Sequence, residues 1–221
     1  LTAPAAFFLL ALEGSGEGVS FALFTGGHRA VYEVRPEAEA ASLPLLLAAS
    51  LAGKRAAAIA VLIGPGRFTG LRATLAVAEG LALGWEAPLW GLSVGDVITA
   101  LAPQDPAPLW VATPDGREGL FIETETGLAR HGPEALPVPP EGARLAGEGA
   151  EILEALARRE GRRCRVLPWR AVRAAEVGEA ALRLKEKGQS FRPPHPLYVG
   201  TVAFRPRPGW TLSPRGEAGQ E

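Results

Sequence analysis

The chain has no methionine, no asparagine and a single cysteine, Cys164, in 221 residues. A lone thiol has no internal disulfide partner, and the three histidines (His28, His131, His195) are scattered without metal-ligand spacing. A cytoplasmic protein without a metal is the expectation. Scarce Asn and Met beside 20 prolines fit the avoidance of thermolabile side chains in heat-adapted proteins. Excess charge is lacking too: the formal balance is −1, which gives no general reason to expect a dedicated nucleic-acid binder. No apolar run is long enough to cross a bilayer, and no membrane partner is expected. The apolar start APAAFFLLAL (3–12) lacks the basic region and cleavage pattern of a secretion signal, and reads as a first buried strand.

Catalytic sets are equally thin. The histidines lie in turn-like or proline-rich contexts, so a hydrolytic triad has no suitable base. Ser15, Ser20, Ser42, Ser50 and Ser93 are explained by turns, strands and caps. Glu13, with Asp96 or Asp115 as a second carboxylate, is the one pairing that would suit magnesium in an ATPase-type cleft.

What is present is a hydrophobic fraction of 47%, enough for a sizeable core in one large domain or two small lobes. Three β-like segments, 7–12, 18–24 and 29–34, are separated by glycine-bearing turns of hairpin length. An Ala/Leu-rich segment, 37–53, reads as a helix stopped at Gly53. AIAVLI (58–63) has no polar alternation, as in a strand buried on both faces. The glycine loop GPGRFTGLR (64–72) leads into a helix over 71–84, a strand over 88–92, and a helix over 93–102 capped by Ser93. The order βββαβαβα is that of a ribonuclease-H-like layer, and the prolines of 103–108 punctuate its end. Beyond it, 108–113 and 119–124 suit a hairpin, 125–142 is loop-like with four prolines, and 150–160 and 175–188 are amphipathic helices.

The glycine loop admits two readings. Backbone N–H groups of Gly64, Pro65, Gly66, Arg67, Phe68, Thr69 and Gly70, less the proline, could surround a phosphate at a helix start. The G-K-[ST] ending and the dinucleotide spacing are both absent, however. A structural turn is favoured, with Thr69 as N-cap and Gly64 and Gly66 permitting positive φ. The helix behind it is apolar on two sides. Leu71, Leu75, Ala78 and Ala82 form one stripe, and Ala73, Val77, Gly80, Leu81 and Gly84 the other, so the second side needs cover from this chain or from a partner. Ala76, Gly80 and Gly84 would let another helix come close.

The string IAVLIGPGRFTGLRATLAVAEGLALGWEAPLWGLS (59–93) resembles the signature of the TsaB (YeaZ) family, partner subunits in making threonylcarbamoyladenosine on transfer RNA. LALEGSGEGVSFAL (10–23) and PLYVGTVAF (196–204) resemble its opening and closing motifs. The resemblance implies an α/β fold of two ribonuclease-H-like lobes of the actin, sugar-kinase and heat-shock ATPase type. The lobes would be 1–102 and a smaller, degenerate 103–195, with 196–221 packing back on the first. It implies no catalysis by this chain, but pairing with a TsaD-like enzyme, or homodimerisation when alone. The contact would run through helices 42–52 and 69–84, with Leu43, Leu46, Leu47, Leu71, Leu75, Ala78 and Ala82 at the interface. A TsaE-like ATPase and tRNA would be reached through the complex. No cofactor is implied beyond a candidate nucleotide at a subunit interface.

Departures from the family pattern are specific. Glu13 replaces Asp, and Gly14 and Gly16 replace threonines, so that among candidate phosphate contacts Gly14, Ser15 and Gly16 a single hydroxyl remains. Arg67 replaces Ser, Gly200 replaces Arg, and PDGREGLFIE (114–123) keeps Asp115 and Arg117 but loses a tyrosine. The stretch 158–173 holds seven arginines, which read either as solvated surface or as a patch for tRNA phosphates. A small-molecule kinase or ATPase of the same fold, or a homodimeric scaffold, are the alternative functions.

Overall fold

The computed structural model describes residues 8–16, 18–35, 42–169 and 171–199. Its first sheet begins with a meander of three antiparallel strands, β1 (Phe8–Glu13), β2 (Val19–Thr25) and β3 (His28–Arg35). Two parallel strands, β4 (Ala58–Leu62) and β5 (Leu89–Leu92), extend it on the far side of β1, giving the order β3-β2-β1-β4-β5. β4 is buried throughout, which is why its sequence shows no polar alternation. Edge strand β3 is largely exposed and carries Arg29, Glu33 and Arg35, charges that protect an open edge.

The second sheet comprises β6 (Leu109–Pro114), β7 (Leu120–Thr124), β8 (Gly127–His131), β9 (Arg144–Ala146) and β10 (Arg165–Val166). Its order, β10-β9-β6-β7-β8, repeats that of the first: a central opening strand, a meander on one side and parallel strands on the other. The second copy is reduced, since a 3-10 turn (Pro133–Ala135) and a proline-rich loop stand between β8 and β9 where the first copy has a helix. Reading 125–142 as loop therefore overlooked β8, a short strand of which only Leu128 and His131 are half-buried.

Helices α1 (Leu43–Leu51) and α2 (Phe68–Trp85) cover one face of the first sheet, closing a core of Leu10, Leu12, Phe21, Ile59, Val61, Leu71 and Leu75. The expected helix over 37–53 is seen from Leu43, and 36–41 lie outside the described residues. α3 (Val94–Leu101) and α5 (Ala174–Glu186) pack together on the opposite face, and α4 (Ala150–Arg159) covers the second sheet.

α5 lies across the expected boundary at 102/103. Although it follows the second sheet in sequence, it lies on β1, β2 and β4. Gly178 makes this possible, because a Cβ there would stand 2.0 Å from the Phe24 ring. The largest core cluster accordingly joins Leu9, Ala22, Phe24 and Leu62 to Leu109, Val111, Leu167 and Val177, so the two lobes share one interior. Arg144 pins the intervening proline segment by donating to the carbonyls of Pro103, Asp105 and Ala107. The closing segment returns to the first lobe: Phe191 stacks on Trp90 at 4.5 Å, and the Leu197 amide donates to Ile63 O at 3.0 Å. Residues 200–221, including Gly200, lie outside the described residues.

Candidate functional site

The glycine loop faces the β1–β2 turn. The Arg67 amide donates to Ser15 O at 2.7 Å. A Cβ on Gly66 would fall 2.7 Å from that oxygen, one on Gly70 2.2 Å from Gly14 O, and one on Gly14 2.1 Å from Thr74 Oγ1. Gly66 and Gly70 are small because two backbones touch, and Gly14 because the Thr74 side chain packs on it. Of the two expected positive φ values, Gly64 has one at 108° and Gly66 does not. α2 starts at Phe68, earlier than expected, so Thr69 sits inside the first turn and Arg67, without a side-chain cap, is the N-cap residue. Pro65 is buried in the loop, while Phe68 and Arg67 are exposed; Arg72 lies 4.0 Å over the Phe68 ring and bonds Tyr198.

The turn at Gly14, Ser15 and Gly16 is already an anion site, filled from within. The buried Glu13 carboxylate accepts from the amides of Ser15 (2.6 Å) and Gly16 (3.0 Å) and from the hydroxyls of Ser15 and Ser20, and Arg173 stands 3.4 Å away. Of the donors expected for a phosphate, those of Ser15 and Gly16 are thus engaged by the chain's own carboxylate.

A second carboxylate does the same across the lobes. Glu123, on β7, accepts from Ser93 Oγ (2.7 Å) and from the Gly95 amide (2.9 Å) at the start of α3. Ser93 and Asp96 close a capping box there, as the Ser93 cap predicted. Arg192 bridges the acids, to Glu123 at 3.0 Å and to Asp96 at 2.5 and 2.9 Å. Burial raises the Glu123 pKa above the usual carboxylate value; the Ser93 hydrogen bond opposes the rise and the Asp96 charge adds to it. This arrangement has no local signature in the sequence, because its members come from three distant segments.

Asp96 and Asp115 do not join Glu13 at a metal site: Asp96 pairs with Arg192, and Asp115 accepts from the amides of Arg117 and Gly119 and pairs with Arg130. No metal-holding group of His, Cys, Asp or Glu occurs among the described residues. The arginine-rich stretch is largely engaged as well. Arg158 pairs with Glu154, Arg163 with Glu141 and Arg165 with Asp105, Arg162 donates to Val138 O and Pro139 O, and Arg170 lies outside the described residues.

The outer face of α1 and α2 is different. Leu45 is 78% exposed and Leu83 82%. Between the helices runs a groove of about 510 Å³, lined by Pro44, Leu47, Ala48 and Leu51 on one side and by Ala76, Val77, Gly80, Leu81 and Trp85 on the other. Gly53, Lys54 and Arg55 line it as well. The expected interface set divides by burial. Leu43, Leu47, Leu71, Leu75 and Ala78 are buried against the chain's own sheet, and Leu46 and Ala82 are half-buried beside them. In the second stripe of α2, Ala73, Val77 and Leu81 are half-buried in the same way, while Gly80 and Gly84 are exposed and a Cβ on either would meet nothing within 4 Å among the described residues.

Two lobes of mixed α/β sheet with shared topology and a common interior define an actin-like fold. Residues 42–140 match the family model described as TsaD, tRNA N6-adenosine threonylcarbamoyltransferase. A Pseudomonas aeruginosa protein described as similar to the peptidase YeaZ superposes with a TM-score of 0.66 at 24% identity, over 87% of this chain and 99% of its own. YeaZ from Pseudomonas aeruginosa superposes with a TM-score of 0.63 at 23% identity, over 86% of this chain and 100% of its own. No curated protein matches the chain. The chain is YeaZ-like in fold, and the signature at 59–93 lies inside the stretch matched by the TsaD model. No helix among the described residues is long and apolar enough to cross a membrane.

Proposed function

We propose that this chain is a non-catalytic, TsaB-like subunit that binds and activates a TsaD-like enzyme for threonylcarbamoyl transfer to adenosine of tRNA. The observation that carries the reading is the outer face of α1 and α2. Gly80 and Gly84 lie inside an exposed helix, each costing about 1 kcal/mol of helix stability relative to alanine. Neither is required by a close contact among the described residues. Close approach of a partner's helix supplies the reason for both, and Leu45 and Leu83 supply apolar area for it to cover. Internal carboxylates at Glu13 and Glu123 support the non-catalytic part, because they take the amides of Ser15, Gly16 and Gly95 as internal partners. In this reading tRNA and a TsaE-like ATPase are engaged through the complex, and two copies pair by the same face when the enzyme is absent.

Light scattering on a sizing column, with the chain alone and mixed with the TsaD-like protein of the same organism, tests the proposal. A heterocomplex that replaces any homodimer is the expected result. Independent elution at all concentrations, with and without ATP, would overturn it.

A further inference from the structure

The groove between α1 and α2 carries charge at one end only. Lys54 and Arg55 line it just beyond the C-terminus of α1, both exposed. No carboxylate among the described residues pairs with either. Arg29, Arg130, Arg158, Arg165 and Arg192 each have an acidic partner, whereas Arg117 and Arg159, like these two, have none among the described residues. The rest of the lining is apolar or small, from Leu47 and Ala48 to Val77 and Leu81. The last turn of α1 holds no basic residue, so its carbonyl end offers these cations a partial negative charge and nothing more.

Resting on the partner reading above, we propose that the groove takes an element of the partner enzyme with an aliphatic face and a carboxylate at the end that meets Lys54 and Arg55. The warrant is desolvation. Any element that fills the apolar groove also strips water from two cations on its lining, and a cation covered without a counter-charge costs more than the apolar contact returns. A wholly apolar helix would satisfy one end of the groove and be rejected by the other. A carboxylate converts that penalty into a charge-assisted hydrogen bond and fixes the direction in which the partner lies. The charged end thus confers polarity on a surface whose apolar part would accept a helix either way round.

The test is isothermal titration of the full chain with the TsaD-like protein at low and high salt, for wild type, the double variant Lys54→Glu/Arg55→Glu, and Gly80→Leu. The two charged positions are solvent-facing, and circular dichroism checks that the variants keep the fold. The double reversal is expected to weaken binding at least ~10-fold at low salt, with wild-type affinity falling as salt rises toward ~0.5 M. Gly80→Leu should abolish binding at either salt. If Gly80→Leu abolishes binding while the reversal and the salt leave it unchanged, the carboxylate inference is overturned and the groove reading stands. A reversal that alters only self-association of the chain overturns it in favour of a second copy as occupant. Absence of any complex removes the partner reading itself.

Discussion

Replacing Gly80 and Gly84 by alanine should move stability and binding in opposite directions. Both glycines lie in the second half of α2, and a Cβ on either meets no atom of the described residues within 4 Å. Alanine therefore adds helix propensity without a clash, stabilising the isolated chain by ~0.5–1 kcal/mol per site. For a chain of this length the pair corresponds to a rise in Tm of roughly 2–8 °C. The same methyl groups hold an approaching helix away, so affinity for the TsaD-like protein should fall by about tenfold or more. Thermal and urea unfolding of dilute protein measures the first effect and calorimetric titration the second. A loss of stability would show that the outer face of α2 is already covered within the chain. A gain in stability with unchanged affinity would remove these glycines from the interface.

Two further substitutions separate the faces of α2. Leu75→Arg, at a position 3% exposed in the first-lobe core, should destabilise the chain by ~4 kcal/mol or more by burying an unpaired cation, seen as loss of cooperative unfolding. Leu83→Arg should leave unfolding within ~0.5 kcal/mol of wild type yet break the heterocomplex, as read on a sizing column. The pH dependence of stability tests the interlobe acid. Because the folded pKa of Glu123 is raised above 4.5, the native state holds that proton more tightly than the unfolded chain. Its titration therefore lowers stability as pH rises through the window above 4.5. Asp115 is shifted the other way, so its contribution is lost as pH falls below 3.8. In Glu123→Gln the upper component should vanish from urea-unfolding measurements while the lower one remains.

The legible parts of the fold were those decided by local pattern. The unbroken apolar run of β4, the Ser93 cap and the meander of β1 to β3 each follow from residues adjacent in sequence. The second sheet was harder because β9 and β10 span only Arg144–Ala146 and Arg165–Val166, too short for any alternation to declare itself. α5 was seen as a helix, but its place against the first sheet depends on Gly178 meeting Phe24 across the fold. At the candidate site the sequence showed that α2 is apolar on two sides without telling which side faces inward. Leu71 and Leu75 belong to the core because leucines fill the sheet-facing volume, while Gly80 and Gly84, too small to fill it, face out.

The same logic accounts for where function can reside in this fold. Backbone donors near the junction of the lobes bind the chain's own acids. Glu13 closes the β1–β2 turn, and Glu123 crosses from the second sheet to the start of α3, where Arg192 ties it to Asp96. Each acid replaces a mobile ligand by a fixed one and makes the junction of the lobes a structural element. Large apolar side chains left exposed on the outside then need a cause other than catalysis. Leu45 and Leu83 are exposed on the two helices that border the groove, and no contact among the described residues explains Gly80, so the function supported best is one performed by a surface.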